Sequence, residues 1–200
     1  MSASGARLGD HRGVTEPWLS GRLLVAAPAL RDPNFDRTVV LVVEHAEEGA
    51  LGLVLNRPSE TEVAAALPGW ERLAAAPAVV FVGGPVAPTA AIALGTALAG
   101  TEVEGWRPLF DGVGSIDLDL EHGPDELAGP VQDVRVFAGY AGWAPGQLEE
   151  EVEGGAWYVV DALPDDTRSA QPDDLWSAVL RRQGGALALV ANFPADPAMN

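Results

Sequence analysis

Apolar residues in this chain gather in short dense runs rather than in long amphipathic repeats. Leu23-Leu24-Val25-Ala26-Ala27 is stopped by Pro28 and suits a short strand buried on both faces. Val39 to Val43 is unbroken aliphatic sequence, and Leu51 to Leu55 is another such run. With Glu47, Glu48 and Gly49 between them, the two predict a hairpin. Val79 to Val82, Val134 to Ala138 and Trp157 to Val160 predict further strands. Helices are fewer. One is expected to begin near Pro145, with Leu148 and Val152 on a single buried stripe and Glu149, Glu150 and Glu151 at the favourable end of the dipole. A second is marked at both termini. Pro172, Asp173 and Asp174 open it, Arg181 and Arg182 sit in its last turn, and Gly184-Gly185 follow, so that Trp176, Val179 and Leu180 form its buried face. Strands and helices do not alternate regularly, and an α+β arrangement around a curved mixed sheet is expected instead of a doubly wound parallel one.

Residues 73–101 carry no charge, which on length alone would qualify as a membrane span. Pro77, Pro85, Pro88, Gly83 and Gly84 cut that stretch into strand-length pieces, and Ala is its commonest residue. The first 17 residues hold no apolar run and are read as a flexible tail ahead of one domain spanning 18–200. A cytoplasmic location is expected.

Composition removes more functions than it nominates. The absence of Cys among the 200 residues excludes disulfides, thiolate metal sites and cysteine nucleophiles. Twelve Arg and no Lys stand against 29 acidic residues, a formal charge of -17 that repels nucleic acid and anionic membranes. Acidity concentrates in Thr101 to Asp166, where 16 acids meet only Arg107 and Arg135. Its sharpest element is Asp117, Asp119 and Glu121 alternating with apolar neighbours, read as the solvated side of a surface strand.

Catalytic templates fail in turn. There is no Gly-x-Ser-x-Gly elbow, no phosphate loop with Lys, no paired-His helix and no dinucleotide fingerprint. Of the three His, His11 lies in the tail and His122 in a turn, which leaves His45 at the end of the densest strand. The plainer expectation for it is a ring satisfied by a loop carbonyl. Asp32 and Arg37 before the hairpin, and Asn56 and Arg57 after it, concentrate polar groups where the chain must turn. Turn capping is the plainer reading there too. Pairing the hairpin about its loop sets Asn56 opposite roughly Val40 and leaves His45 about 17 Å away along the strand. Gly139-Tyr140-Ala141-Gly142-Trp143 reads as the passage from strand to helix start. Its aromatics pack in the core or present flat faces to a ligand.

Together these motifs resemble the YqgE/AlgH family. The resemblance rests on Leu24 to Val40, with Asp32-Pro33-Asn34-Phe35-Asp36-Arg37 at its centre, on Glu44-His45, and on Gly49 to Pro58. It continues in Gly83-Gly84-Pro85-Val86, in Gly139 to Trp143 leading into Gly146-Gln147-Leu148-Glu149, and in Ala156-Trp157. It implies a single α+β domain whose branched mixed sheet curls into a pseudo-barrel with a few flanking helices. Some members are labelled transcriptional regulators. The acidic composition and the lack of a helix-turn-helix disfavour direct DNA binding for this chain.

The function expected is that of a non-catalytic binding or regulatory protein contacting a protein or small molecule, with no cofactor, metal, nucleic acid or membrane. Its candidate site residues are Asp32, Arg37, His45, Asn56, Arg57, Gly83, Gly84, Tyr140, Trp143 and Gln147. The alternative is a hydrolase or metal-assisted enzyme using His45 with Glu44 or Asp32.

Overall fold

Each of the six apolar runs folds as a strand. The computed structural model describes residues 18–98, 100, 105–116, 118, 124–127 and 129–193. The expectations for the tail, for His11 and His122, and for the alternation at Asp117, Asp119 and Glu121 lie outside the described residues. Among the described residues ten strands form one sheet: β1 (Arg22–Ala26), β2 (Val39–Ala46), β3 (Gly49–Val54), β4 (Pro58–Glu62), β5 (Val79–Val82), β6 (Val86–Ala97), β7 (Trp106–Phe110), β8 (Val113–Ile116), β9 (Val131–Trp143) and β10 (Trp157–Asp161). Their order is β10-β1-β2-β3-β9-β6-β8-β7, and the pair β4-β5 joins β9 from the side. Helices α1 (Val63–Ala66), α2 (Pro124–Leu127), α3 (Gln147–Glu153), α4 (Pro164–Thr167), α5 (Leu175–Gln183) and α6 (Gly185–Val190) flank this single curled sheet.

The curl comes from a branch on β9. One edge of that strand carries β6. The other carries β3 antiparallel, from Ala50 opposite Trp143 to Gly52 opposite Ala141, and then β5 parallel, with Phe81 opposite Phe137 and Val82 opposite Ala138. Gly83 sits where the two partners part. Its N–H donates to the Ala138 carbonyl at 2.9 Å, and its own carbonyl accepts the Val54 N–H at 2.9 Å. One peptide unit thereby stitches both branches. Three backbones can meet there only without side chains. A Cβ on Gly83 would overlap the Gly139 carbonyl, and one on Gly84 would overlap the backbone of Tyr140. Gly84 (φ 155°) and Gly139 (φ 72°) also hold conformations that L residues rarely adopt.

With its middle strands covered on both sides, the sheet buries alternate residues in opposite directions. Leu23, Val25, Leu41, Leu53, Phe81 and Phe137 pack on one face beneath α5, whose Trp176, Val179 and Leu180 are buried as the helical spacing predicts. Leu24, Val40 and Val42 pack on the other with Trp143, Trp157 and Leu148 of α3. A third cluster around Trp70, Val80, Val134 and Val136 lies against α1 and α2. Arg135 is the one charged Arg in the buried set, only 3% exposed. Its guanidinium stacks on Phe81 at 4.3 Å and donates to the carbonyls of Ala76 and Ser169. Burial pulls its pKa down to about 10 against the opposing pull of Asp133, so it stays charged at neutral pH.

Two expectations need correction. Gly139 to Trp143 is not a passage out of the strand: β9 runs through it to Trp143, because a left-handed glycine lets the strand bend without ending. Pro172, Asp173 and Asp174 are not the first turn of α5: they form a separate 3₁₀ turn and the helix itself begins at Leu175, while Gly184 follows its last residue as expected. Among the described residues, no helix is long and apolar enough to cross a membrane.

Substitution at the branch should separate steric exclusion from ordinary glycine effects. Gly83→Ala should cost more than about 3 kcal/mol or abolish folding, since backbone cannot yield as a side chain can. Gly142→Ala, on the same sheet with its nearest neighbour 3.5 Å from the added Cβ, should cost less than about 1 kcal/mol. Urea denaturation of both proteins provides the comparison.

Candidate functional site

The sequence-derived candidates fall into three groups, and two of the residues, Tyr140 and Trp143, line a groove. At the base of the hairpin, the Asn56 side chain acts as a short piece of strand. Its Oδ1 accepts the Val39 N–H at 3.0 Å and its Nδ2 donates to the Arg37 carbonyl at 2.9 Å. Arg57 donates to the Asp36 carbonyl at 2.8 Å, and Asp32 Oδ1 accepts the Asn34 N–H at 2.8 Å. Arg37 lies over Trp176 at 4.5 Å from the ring centroid and donates to the Phe193 carbonyl. All four side chains are committed to backbone or ring partners, which is what turn capping requires. The ladder places Val54 opposite Val40, with Asn56 two residues further on. The expected register fell short by that much because the hairpin loop is only Glu47-Glu48 and a bulge at Val43 absorbs another residue.

Gly83 and Gly84 form the second group and belong to the branch. The third surrounds α3. His45 is buried, its side chain 1% exposed. Nε2 lies 3.0 Å from Glu149 Oε1, and Nδ1 accepts the Leu19 N–H at 3.0 Å. An Nδ1 that accepts a backbone donor carries no proton, so the hydrogen toward Glu149 resides on Nε2. Trp18 closes over the ring edge-on at 5.3 Å. The expected loop carbonyl is therefore replaced by a backbone amide and a carboxylate. Neighbouring Glu44 points to the opposite side of the strand.

Sequence reasoning missed Glu151, the centre of this group. One of its oxygens accepts both indole N–H groups, Trp143 at 2.9 Å and Trp157 at 2.8 Å, and the other accepts Gln147 Nε2 at 2.8 Å. Gln147 in turn accepts the Ala144 N–H at 3.0 Å, and Phe35 packs against both indoles. Within a run of three Glu, nothing but its position three residues after Leu148 and the flanking Trp residues set Glu151 apart.

Open space begins on the far side of the same strands. A groove of about 530 Å³ runs over Ala50, Leu51, Val86, Tyr140 and Gly142, with Glu44 and Glu48 on its rim. A second recess of about 250 Å³ adjoins it, sharing Glu44 and Leu51 and extending past Val43, Ile92 and Arg107. Of the ten candidates, only Tyr140 and Trp143 line the groove. Among the described residues no three His, Asp or Glu side chains gather as a metal site would require.

A family model described as AlgH-like matches residues 23–188. The chain belongs to the AlgH-like family. Similar proteins include a UPF0301 protein of Streptomyces avermitilis, 51% identical over 193 residues that cover 94% of this chain and 99% of the relative. Another is a UPF0301 protein of Thermobifida fusca, 49% identical, with coverage of 91% and 96%. Two solved structures share the fold. The crystal structure of protein DIP2367 from Corynebacterium diphtheriae superposes with a TM-score of 0.82 at 34% identity, covering 88% of this chain and 92% of that one. The solution structure of the AlgH protein from Pseudomonas aeruginosa gives 0.67 at 30% identity, covering 92% and 98%.

In this AlgH-like chain the α3 cluster should prove structural on removal of its acceptor. Glu151→Ala strands two indole donors and should destabilise the protein by about 2–4 kcal/mol, read by denaturant unfolding with tryptophan fluorescence. Asn56→Ala, which orphans one amide and one carbonyl, should cost about 1–3 kcal/mol in the same assay.

Proposed function

We propose that this AlgH-like protein is a cytosolic binding or regulatory protein that works without catalysis, its ligand or partner docking in the groove beside Tyr140. One observation carries the reading: the open recess of about 530 Å³ faces Glu44 and Tyr140, while His45 is turned to the other side with both ring nitrogens engaged. A general base needs a free lone pair within hydrogen-bond reach of its substrate. The His45 ring has spent its lone pair on Leu19, and its access is closed by Trp18. Groove volume and mixed apolar and polar lining suit recognition of a small molecule or of a short stretch of polypeptide.

The test joins turnover and binding. The wild-type protein and His45→Ala are assayed against ester, phosphate and amide substrates, and ¹⁵N spectra are recorded with a fragment and peptide library. Expected are no turnover that depends on His45 and shift changes concentrated at Ala46 to Leu51, Val86 and Tyr140 to Gly142. Hydrolysis abolished by His45→Ala would overturn the proposal, as would ligand shifts clustered away from the groove.

A further inference from the structure

We infer that the occupant of the groove is an extended basic segment of a partner protein, with an Arg or Lys side chain laid on Tyr140 between Glu44 and Glu48. The inference rests on the groove reading above and adds the chemistry of what binds. Glu44 and Glu48 are exposed on the rim, and neither has a hydrogen-bond or ion-pair partner among the described residues. Between them the floor is apolar, made by Leu51, Val86 and the half-buried Tyr140. Carboxylates flanking an aromatic face suit an organic cation, which gains a charge partner and a ring to lie on and leaves its methylene stem against apolar carbon. The floor also argues against a metal ion, which needs a shell of oxygen ligands from every side.

Shape and charge decide between a small cation and a polypeptide. The groove continues past Glu44 and Leu51 into the second recess, where Val43 and Ile92 extend the apolar floor and Arg107 adds a positive charge, so the basic side chain belongs at the Tyr140 end and an apolar one beside Ile92. A trough with a charged end and a continuing apolar floor matches alternating side chains of an extended chain better than one compact ion. A chain with net charge -17 also draws a basic segment toward its surface before any contact is made.

The probe is a fluorescein-labelled acetyl-Ala-Arg-Leu-Arg-Ala-amide peptide titrated into the full chain at two salt concentrations, with ¹⁵N shifts recorded in parallel. A peptide with citrulline in place of arginine keeps the shape and removes the charge. Expected are shifts at Gly49, Ala50 and Gly142, and about tenfold weaker binding for the Glu44→Gln/Glu48→Gln double variant. Glu62→Gln, on β4 and outside the groove, should change affinity less than about twofold. If the citrulline peptide binds the same amides equally well, the groove reading survives and the cationic occupant is refuted. If no probe moves the groove amides, both fall. Equal weakening by Glu62→Gln marks diffuse attraction to an acidic surface and also overturns the inference.

Discussion

Three stretches of backbone meet at Gly83, and the rest of the architecture depends on their being allowed to touch. A sheet strand has two edges, and β9 uses one of its edges twice, for β3 and then for β5. The hand-over requires a residue whose N–H serves one neighbour and whose carbonyl serves another, with no Cβ to hold the chains apart. From there the two branches diverge, which turns a flat array into a curled one and lets helices pack on different faces. A parallel pairing of β5 within an otherwise antiparallel sheet follows from the same geometry, because β4 and β5 return to β9 from outside the β1-β2-β3 meander.

Because strand residues alternate, the branch also sorts chemistry by side. His45 falls on the face that α3 covers, where Glu149, Leu19 and Trp18 consume it. Glu44, one residue earlier, faces the groove. A small acidic helix is held over the indoles by a single carboxylate with three donors, an unusual use of a residue type that is mostly solvated. Fixing α3 there keeps Trp143 at the end of β9 and so fixes one wall of the recess.

Much of this was legible in the chain because its strongest signals are local. Val39 to Val43 has no other low-energy use than a buried strand, and the end of α5 was marked by Arg181, Arg182 and Gly184, although its opening at Pro172 folds as a separate 3₁₀ turn ahead of Leu175. Legibility failed where the physics is long-range. Pro58 to Glu62 is polar along its length and becomes β4 only because β5 lies alongside it. The Ala-rich β6, 12 residues long, gains its strand character from β9. Gly139 looked like the end of a strand because glycine usually weakens one, whereas here it admits another backbone. In the site, the capping roles of Asn56 and Arg57 were readable from the hairpin. Glu151 was not, since its value depends on two tryptophans arriving from opposite ends of α3.

The branch at Gly83 is a cornerstone of the fold and not a local joint. Native-state hydrogen exchange of the Gly83 and Val54 amides decides between the two, because these two donors close the branch. Both amides should exchange only through global unfolding, with the same opening free energy as Leu41 and Phe137 in the buried core. Exchange through a local opening well below that value, with the core amides still protected, would contradict it.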